Sequence, residues 1–372
     1  MSKSTPVRLL LPLALLFALA QAALAQVPVD ARVALSSLPD SQAVLFINAR
    51  RIVNEMLPKV LPPAEYRKML TQAGEIGLDP RGLEFVAVGV RLADPPPANN
   101  LPEFVVVIRG GFNADTMLAF GRVALGAQNM KSRQETYGSK TIEVLDLQTM
   151  SKPPEGGDGS KPPSPPPYPE VAVLALDADT LVVGVPSYVR AMVDSAGGRG
   201  GLKPSLVELA AQDPQALWSL TVETPPNFAE YLHKAGAPAN TEADQMIGWI
   251  KQISLAHGMD ALNYTMSAAV LTDAPEHASA FSGLVRMGLL AAQTGLNQEA
   301  AKQTPRHKDY AKTRTALNAI KSFVNRTEGN TLHLSVSAPQ KVVADLVRKE
   351  FAPKPVVKST GRIPRRGRTR RK

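Results

Sequence analysis

Nucleophiles, acids and bases are plentiful in this chain, but few stand at spacings that specify a reaction. Five histidines, His233, His257, His277, His307 and His333, are scattered singly. None forms His-x-His, His-Glu-x-x-His or an i,i+4 pair, the spacings that set two imidazoles on one helix face to hold a metal. There is no cysteine, which removes thiolate metal sites, disulfides and a lipid-modified N-terminal cysteine. No Gly-x-Ser-x-Gly elbow and no Ser-x-x-Lys occurs. A Ser/His/Asp site assembled from distant segments stays open, because geometry alone defines it. Asp177 and Asp179 form a close carboxylate pair at a strand end. Such pairs serve glycoside hydrolysis, but aspartate is also a usual turn former, and a turn is the expectation.

Glycine and proline motifs read in the same plain way. Arg109-Gly110-Gly111-Phe112-Asn113 joins a strand to a helix, where backbone amides can cradle an anion. It lacks the Gly-x-Gly-x-x-Gly spacing and a Walker lysine, so a tight turn is expected. The glycines of residues 197–201 follow a helix and fit a cap and linker. Lys161-Pro162-Pro163-Ser164-Pro165 is formally a PxxP ligand but sits in a solvated loop. Asn263-Tyr264-Thr265 and Asn325-Arg326-Thr327 are glycosylation sequons inside expected strands, which argues for chance.

Two basic features remain. Residues 302–326 carry Lys302, Arg306, Lys308, Lys312, Arg314, Lys321 and Arg326 against Asp309 alone, and read as the solvated face of a helix. The tail from residue 358 holds Lys358, Arg362, Arg365, Arg366, Arg368, Arg370, Arg371 and Lys372 with no acid. Blocks of like charge stay unfolded and often act as interaction arms. Each cation held near an anionic surface is worth about 1 kcal/mol, so this tail is the candidate contact for an anionic envelope polymer or lipid. It has no aromatic residue to stack on bases, which disfavours nucleic acid. Of the net charge of +9, two charges belong to Lys3 and Arg8 and eight to the tail, which leaves the body at −1.

The elements that position these residues centre on residues 179–196, DTLVVGVPSYVRAMVDSA. Leu181, Val183 and Val185 alternate as a strand does, and Pro186 stops the ladder and opens a helix with Val189, Met192 and Val193 on one face. The unit returns at residues 330–351, where Thr331, Leu332, Leu334 and Val336 match Thr180, Leu181, Val183 and Val185. Pro339 stands two residues later than Pro186 projects. The repeat implies two related tandem domains. Further strands are expected near residues 43–48, 83–92, 103–109, 141–147, 170–176, 215–222, 262–271 and 323–326. Helices are expected from 49, from 63 to 73, and over 114–125, 205–211, 241–257, 304–322 and 340–351. Another is expected after Asp273, burying Phe281, Leu284, Val285 and Ala292, with Gly283 and Gly288 allowing close packing. Asn113, Thr241 and Asp273 are the expected caps, the last two opening capping boxes with Asp244 and Glu276.

The first 25 residues form a secretory signal: Lys3 and Arg8, an apolar run from Leu9 to Ala20, and Ala23-Leu24-Ala25 before a cut. The twelve-residue run is too short to span a bilayer, which needs about 20. The expected organisation is a signal peptide at 1–25 and a first domain at 26–200 with a Pro-rich hairpin insertion at 151–169. A second domain at 213–352 and a disordered basic tail at 353–372 follow. The fold class is α+β, each domain a mainly antiparallel sheet with helices packed on one face. The function this implies is a non-enzymatic binding or scaffolding protein of the periplasm or exterior, its tail on the envelope. No cofactor or metal is implied. The alternative is an exported hydrolase with a site assembled from distant residues.

Overall fold

The structure, a computed structural model, describes residues 30–75, 77–92, 101–127, 130–148, 166–198, 201–226, 228–234, 240–304 and 310–351. In chain order, α1 is Ala31–Ser36 and β1 is Ala43–Ile47. Residues 49–60 form α2, α-helical over Ala49–Arg51 and Leu57–Val60 and π-helical across Ile52–Met56. Then come α3 (Pro63–Glu75), β2 (Leu83–Arg91), β3 (Glu103–Gly110), α4 (Ala114–Ala127), β4 (Ser132–Tyr137), β5 (Lys140–Asp146), β6 (Glu170–Asp177) and β7 (Thr180–Gly184). α5 (Pro186–Ala196) and α6 (Pro204–Ala210) lead to β8 (Ala216–Glu223), α7 (Phe228–Lys234) and α8 (Thr241–Trp249). β9 (Ile250–Met259), β10 (Asn263–Thr272), α9 (Pro275–Lys302), α10 (Tyr310–Lys321), β11 (Val324–Glu328), β12 (Thr331–Pro339) and α11 (Gln340–Glu350) complete the order.

The fold class is α+β, a large antiparallel sheet with helices. Among the described residues twelve strands join one sheet in the order β11-β12-β10-β9-β8-β1-β2-β3-β7-β6-β5-β4. The expected separate sheet for each half is absent. β1 pairs antiparallel with β2 on one side and with β8 on the other, centred on Leu45 opposite Leu220, and this pairing runs the two halves together. From that centre the order β1-β2-β3-β7-β6 reads outward one way and β8-β9-β10-β12-β11 the other.

The main core lies on the sheet face that carries Val44 and Phe46, here the front face. In register across the strands, Leu174, Val182, Val107, Ala87 and Phe46 form one row. α1, α5 and α6 seal that row with Leu35, Tyr188, Val189, Met192 and Leu206, all fully buried. Each such side chain contributes about 1.5–3 kcal/mol when removed from water. Tyr188 is the largest, and its hydroxyl finds Asp40 O at 2.7 Å and Ser41 Oγ at 2.6 Å.

The back face of the second half holds the smaller cluster. Val60, Met259 and Tyr264 pack there with Ile52, Met56, Val343 and Val347 from α2 and α11. α11 follows β12 as α5 follows β7, yet it packs on the opposite face. With Leu181 and Val183 set against Leu332 and Leu334, Pro186 projects onto Ser337, whereas α11 starts at Gln340. The offset of three is odd, and an odd step along a pleated strand reverses the face.

Several expectations fail for local reasons. The helix expected over 241–257 stops at Trp249, because residues 250–259 are held as β9 between β8 and β10. Its cap is Asn240, which accepts from the amides of Glu242 and Ala243, not Thr241. Ala274 caps α9, and Asp273 instead pairs with His277 at 2.6 Å. α9 buries only Ala278 and Ser282, leaving Leu284, Met287 and Leu290 at 45, 63 and 66% exposure and Ala292 exposed. Gly283 and Gly288 face open space, so they make no close packing. Asn113 does cap α4, accepting from Thr116 N at 2.8 Å. No helix among the described residues is long and apolar enough to cross a membrane.

Candidate functional site

The front face is sealed only on the first half. Beyond β1 the same rows continue into β8, β9, β10, β12 and β11 with different chemistry. The Phe46 row becomes Ser219, Ala256, Ser267, Ser335 and Val324. The neighbouring row runs from Val44 to Thr221, Ser254, Ala269, His333 and Arg326. On the same face of the first half, Phe46, Ala87, Val107, Val182 and Leu174 stand under the helices. Large apolar residues there are replaced by small or polar ones here. With α11 on the back face, the place that α5 fills in the first half stays open. The result is a groove of about 380 Å³, bounded by the end of α6 and by β11.

Each side chain of the groove is set by its strand. Ser254 and Ala256 are buried in the floor, and Ser267, Ala269, His333 and Ser335 are half-buried. Ser254 Oγ and Thr221 Oγ1 lie 3.5 Å apart. Ser219 is turned away, its hydroxyl donating to Ala210 O at 2.6 Å. At one end stands Arg326, exposed and in a loose 3.7 Å pair with the exposed Glu328. At the other stands Asp213, half-buried, whose Oδ1 accepts from Gln215 N at 2.8 Å. Gly258 lies beneath this carboxylate, and a Cβ there would come within 2.8 Å of Asp213 Oδ2. Small side chains thus form the floor, with a cation and an imidazole at one end and an anion at the other. His333 and Ser335 share the face two residues apart with no hydrogen bond between them, so the nucleophile–base contact of a hydrolase is not formed.

The other candidate residues are engaged elsewhere. His277 stacks on Trp249 at 3.9 Å between centroids. His233 pairs with Asp244 at 3.0 Å. His257 lies on the back face between Trp218 and Tyr264, and burial pushes its pKa down. His307 lies outside the described residues. Among the described residues no three His, Asp or Glu side chains gather as a metal site. Asp177 and Asp179 form the expected turn between β6 and β7, with Asp179 N donating to Asp177 Oδ1 at 3.2 Å. Burial raises the Asp179 carboxyl, whereas at Asp177 hydrogen bonds from Thr180 and Asp179 outweigh burial and lower it. Arg109 bridges Asp179 at 3.2 Å. The amides of the glycine loop are used internally: Gly110 N donates to Asp179 O, Gly111 N to Gly82 O and Ala114 N to Ala178 O. A Cβ at Gly110 would meet Leu83 Cα at 2.8 Å, so close backbone approach explains the glycine, and no anion cradle is left.

Of the basic segment, Lys312, Arg314 and Lys321 are exposed on α10 and only Arg326 reaches the groove, while Arg306 and Lys308 lie outside the described residues. The tail residues Arg362, Arg365, Arg366, Arg368, Arg370, Arg371 and Lys372 lie outside them too, as do residues 1–25 and most of the Pro-rich insertion. The serines of the groove carried no signal in the sequence. They come from three separate strands, and only the register brings them to one face.

No family model matches the chain, and no curated protein does. Solved structures of TP0453 are similar to it at 10% identity. Crystal form III aligns over 84% of this chain and 96% of its own with a TM-score of 0.41. Crystal form IV aligns over 84% and 95% with a TM-score of 0.40.

Proposed function

We propose that the protein is an exported, non-enzymatic binding protein of the cell envelope, built from two related tandem halves with divided labour. The first half stabilises the sheet, and the second presents the groove. The observation that carries this reading is the open front face of the second half, where Ser254, Ser267, Ser335, His333 and Arg326 replace a sealed core. Small polar residues at positions a helix could have covered give a concave, hydrogen-bonding surface. The mirrored strand order and the aligned pairs Leu181–Leu332 and Val183–Leu334 support descent of the halves from one unit. The signal-like first 25 residues support export to the periplasm or exterior. The Arg-rich tail, Arg362 to Lys372, supplies contact with an anionic envelope polymer or lipid, since tethered cations favour such surfaces.

The test is co-sedimentation of the mature protein with anionic vesicles and cell-envelope fragments, comparing the full chain with one ending at Val357. The full chain pellets at low salt and is released in large part as salt rises, while the shorter chain keeps only the binding made through the groove. Failure of both forms to pellet overturns the reading.

A further inference from the structure

We propose that the groove binds a short extended peptide of small residues, with its free carboxylate at Arg326 and His333 and its ammonium at Asp213. This rests on the reading of the protein as a binding protein and adds the ligand class. Charge sets the polarity: among the described residues the cation lining the groove is Arg326, at the β11 end, and the carboxylate is Asp213, at the α6 end. Among the described residues Arg326 pairs with the exposed Glu328 at 3.7 Å, a pair that competes weakly for it. A guanidinium takes a carboxylate in a two-pronged hydrogen bond.

Length follows from the register. Gly258, under Asp213, and Arg326 are three strands and four residues apart. That is about 14 Å across the sheet and about 13 Å along it, on the order of 20 Å in all. An extended chain of about four to five residues covers roughly 13–17 Å, and the Arg326 side chain reaches back over the rest.

The floor selects the rest of the ligand. Ser254, Ser267 and Ser335 offer hydroxyls that donate and accept, matching the alternating amides and carbonyls of a peptide. Ala256 and Ala269 between them let a backbone come close. Among the described residues no Phe, Tyr or Trp lines the groove, so a sugar ring or a base finds His333 as its one ring to stack on. An apolar helix like α5 is a poor occupant, because it would bury His333 and the serines without partners.

Calorimetric titration of the mature protein with tetra-alanine, N-acetyl-tetra-alanine and tetra-alanine amide tests this, alongside Arg326→Ala, Asp213→Asn and the groove-filling Ala269→Trp. Tetra-alanine is expected to bind, and blocking either end to weaken it at least tenfold. Arg326→Ala should erase the preference for the free carboxylate, and Asp213→Asn the preference for the free amine. Affinity indifferent to both blocked ends, or no binding at millimolar peptide, overturns the peptide assignment. Pelleting of Ala269→Trp with envelope fragments at moderate salt separates the two failures. If tetra-alanine fails but Ala269→Trp pellets less than the wild-type chain, the groove is a binding site and the peptide class is wrong. If it pellets equally, the groove reading falls as well.

Discussion

A side chain at Gly184 has nowhere to go. A Cβ there would press on the Phe104 carbonyl oxygen and come within 2.9 Å of Val105 Cα, both backbone atoms of the neighbouring strand. Gly184→Ala should therefore destabilise by about 1–3 kcal/mol, the cost of overpacking against atoms that cannot turn aside, read as a fall in the urea midpoint. Tyr188 tests the same core through chemistry. Burial pushes its hydroxyl pKa up to about 12. The group resists ionisation in the folded chain and ionises near 10 in the unfolded one. Stability is thus unaffected below about pH 10 and falls as pH rises from about 10 to 12, by up to roughly 2–3 kcal/mol. Tyr188→Phe should remove this alkaline slope and lower neutral stability by about 1–3 kcal/mol, because Ser41 and Asp40 lose their buried partner. Denaturation curves at pH 7 and pH 11 would show both. At this scale the sequence was readable for Val189 and Met192, which fall on a helical stripe. It was silent on Tyr188, whose burial depends on the loop of Asp40 and Ser41 arriving above it.

Elements were legible where one period dominated and unreadable where two coincided. β7 with α5 and β12 with α11 stand out because alternation ends at a proline. Residues 250–257 read as a continuation of the helix because Ile250 and Ile253 share a helical face with Met246 and Trp249, yet they form β9. The alternation of Ser254, Ala256 and Gly258 with Leu255, His257 and Met259 sets small residues on the groove face, so it lacks the apolar–polar contrast that marks a strand. The two halves offer a paired experiment on this face. Val182 and His333 both lie on the front face of the sheet, one fully buried and one half-buried. Val182→His should cost about 3 kcal/mol or more, since it buries an unpartnered imidazole. His333→Val should change stability by no more than about 0.5 kcal/mol, since the groove is open. Equal costs in thermal or urea unfolding would show that the second half's front face is covered in solution. His257 adds a pH signature on the back face. Burial lowers its pKa, so stability is intact above the ordinary histidine pKa and declines as acid protonates the ring, a slope that His257→Gln should flatten.

For the whole molecule the decisive pairing is β1 with β8, which no local pattern announces because the partners lie about 175 residues apart. It makes one sheet of two halves, and a single cooperative urea transition is expected, with fluorescence and circular dichroism coincident. Cleavage of the connection at residues 199–200 should leave the pieces associated through that pairing and through the Arg32–Glu208 bridge between α1 and α6, and gel filtration of the nicked protein would show one peak. The same pairing has a temporal side. A chain that emerges from its N-terminus releases β1, Ala43–Ile47, long before β8 exists. β2 can close one side of β1 early, but the other side keeps its amides, carbonyls and the apolar run Ala-Val-Leu-Phe-Ile bare until some 170 further residues have followed. The strand that ends in the middle of the finished sheet therefore spends its early life as an edge, the condition most prone to pairing with the wrong chain.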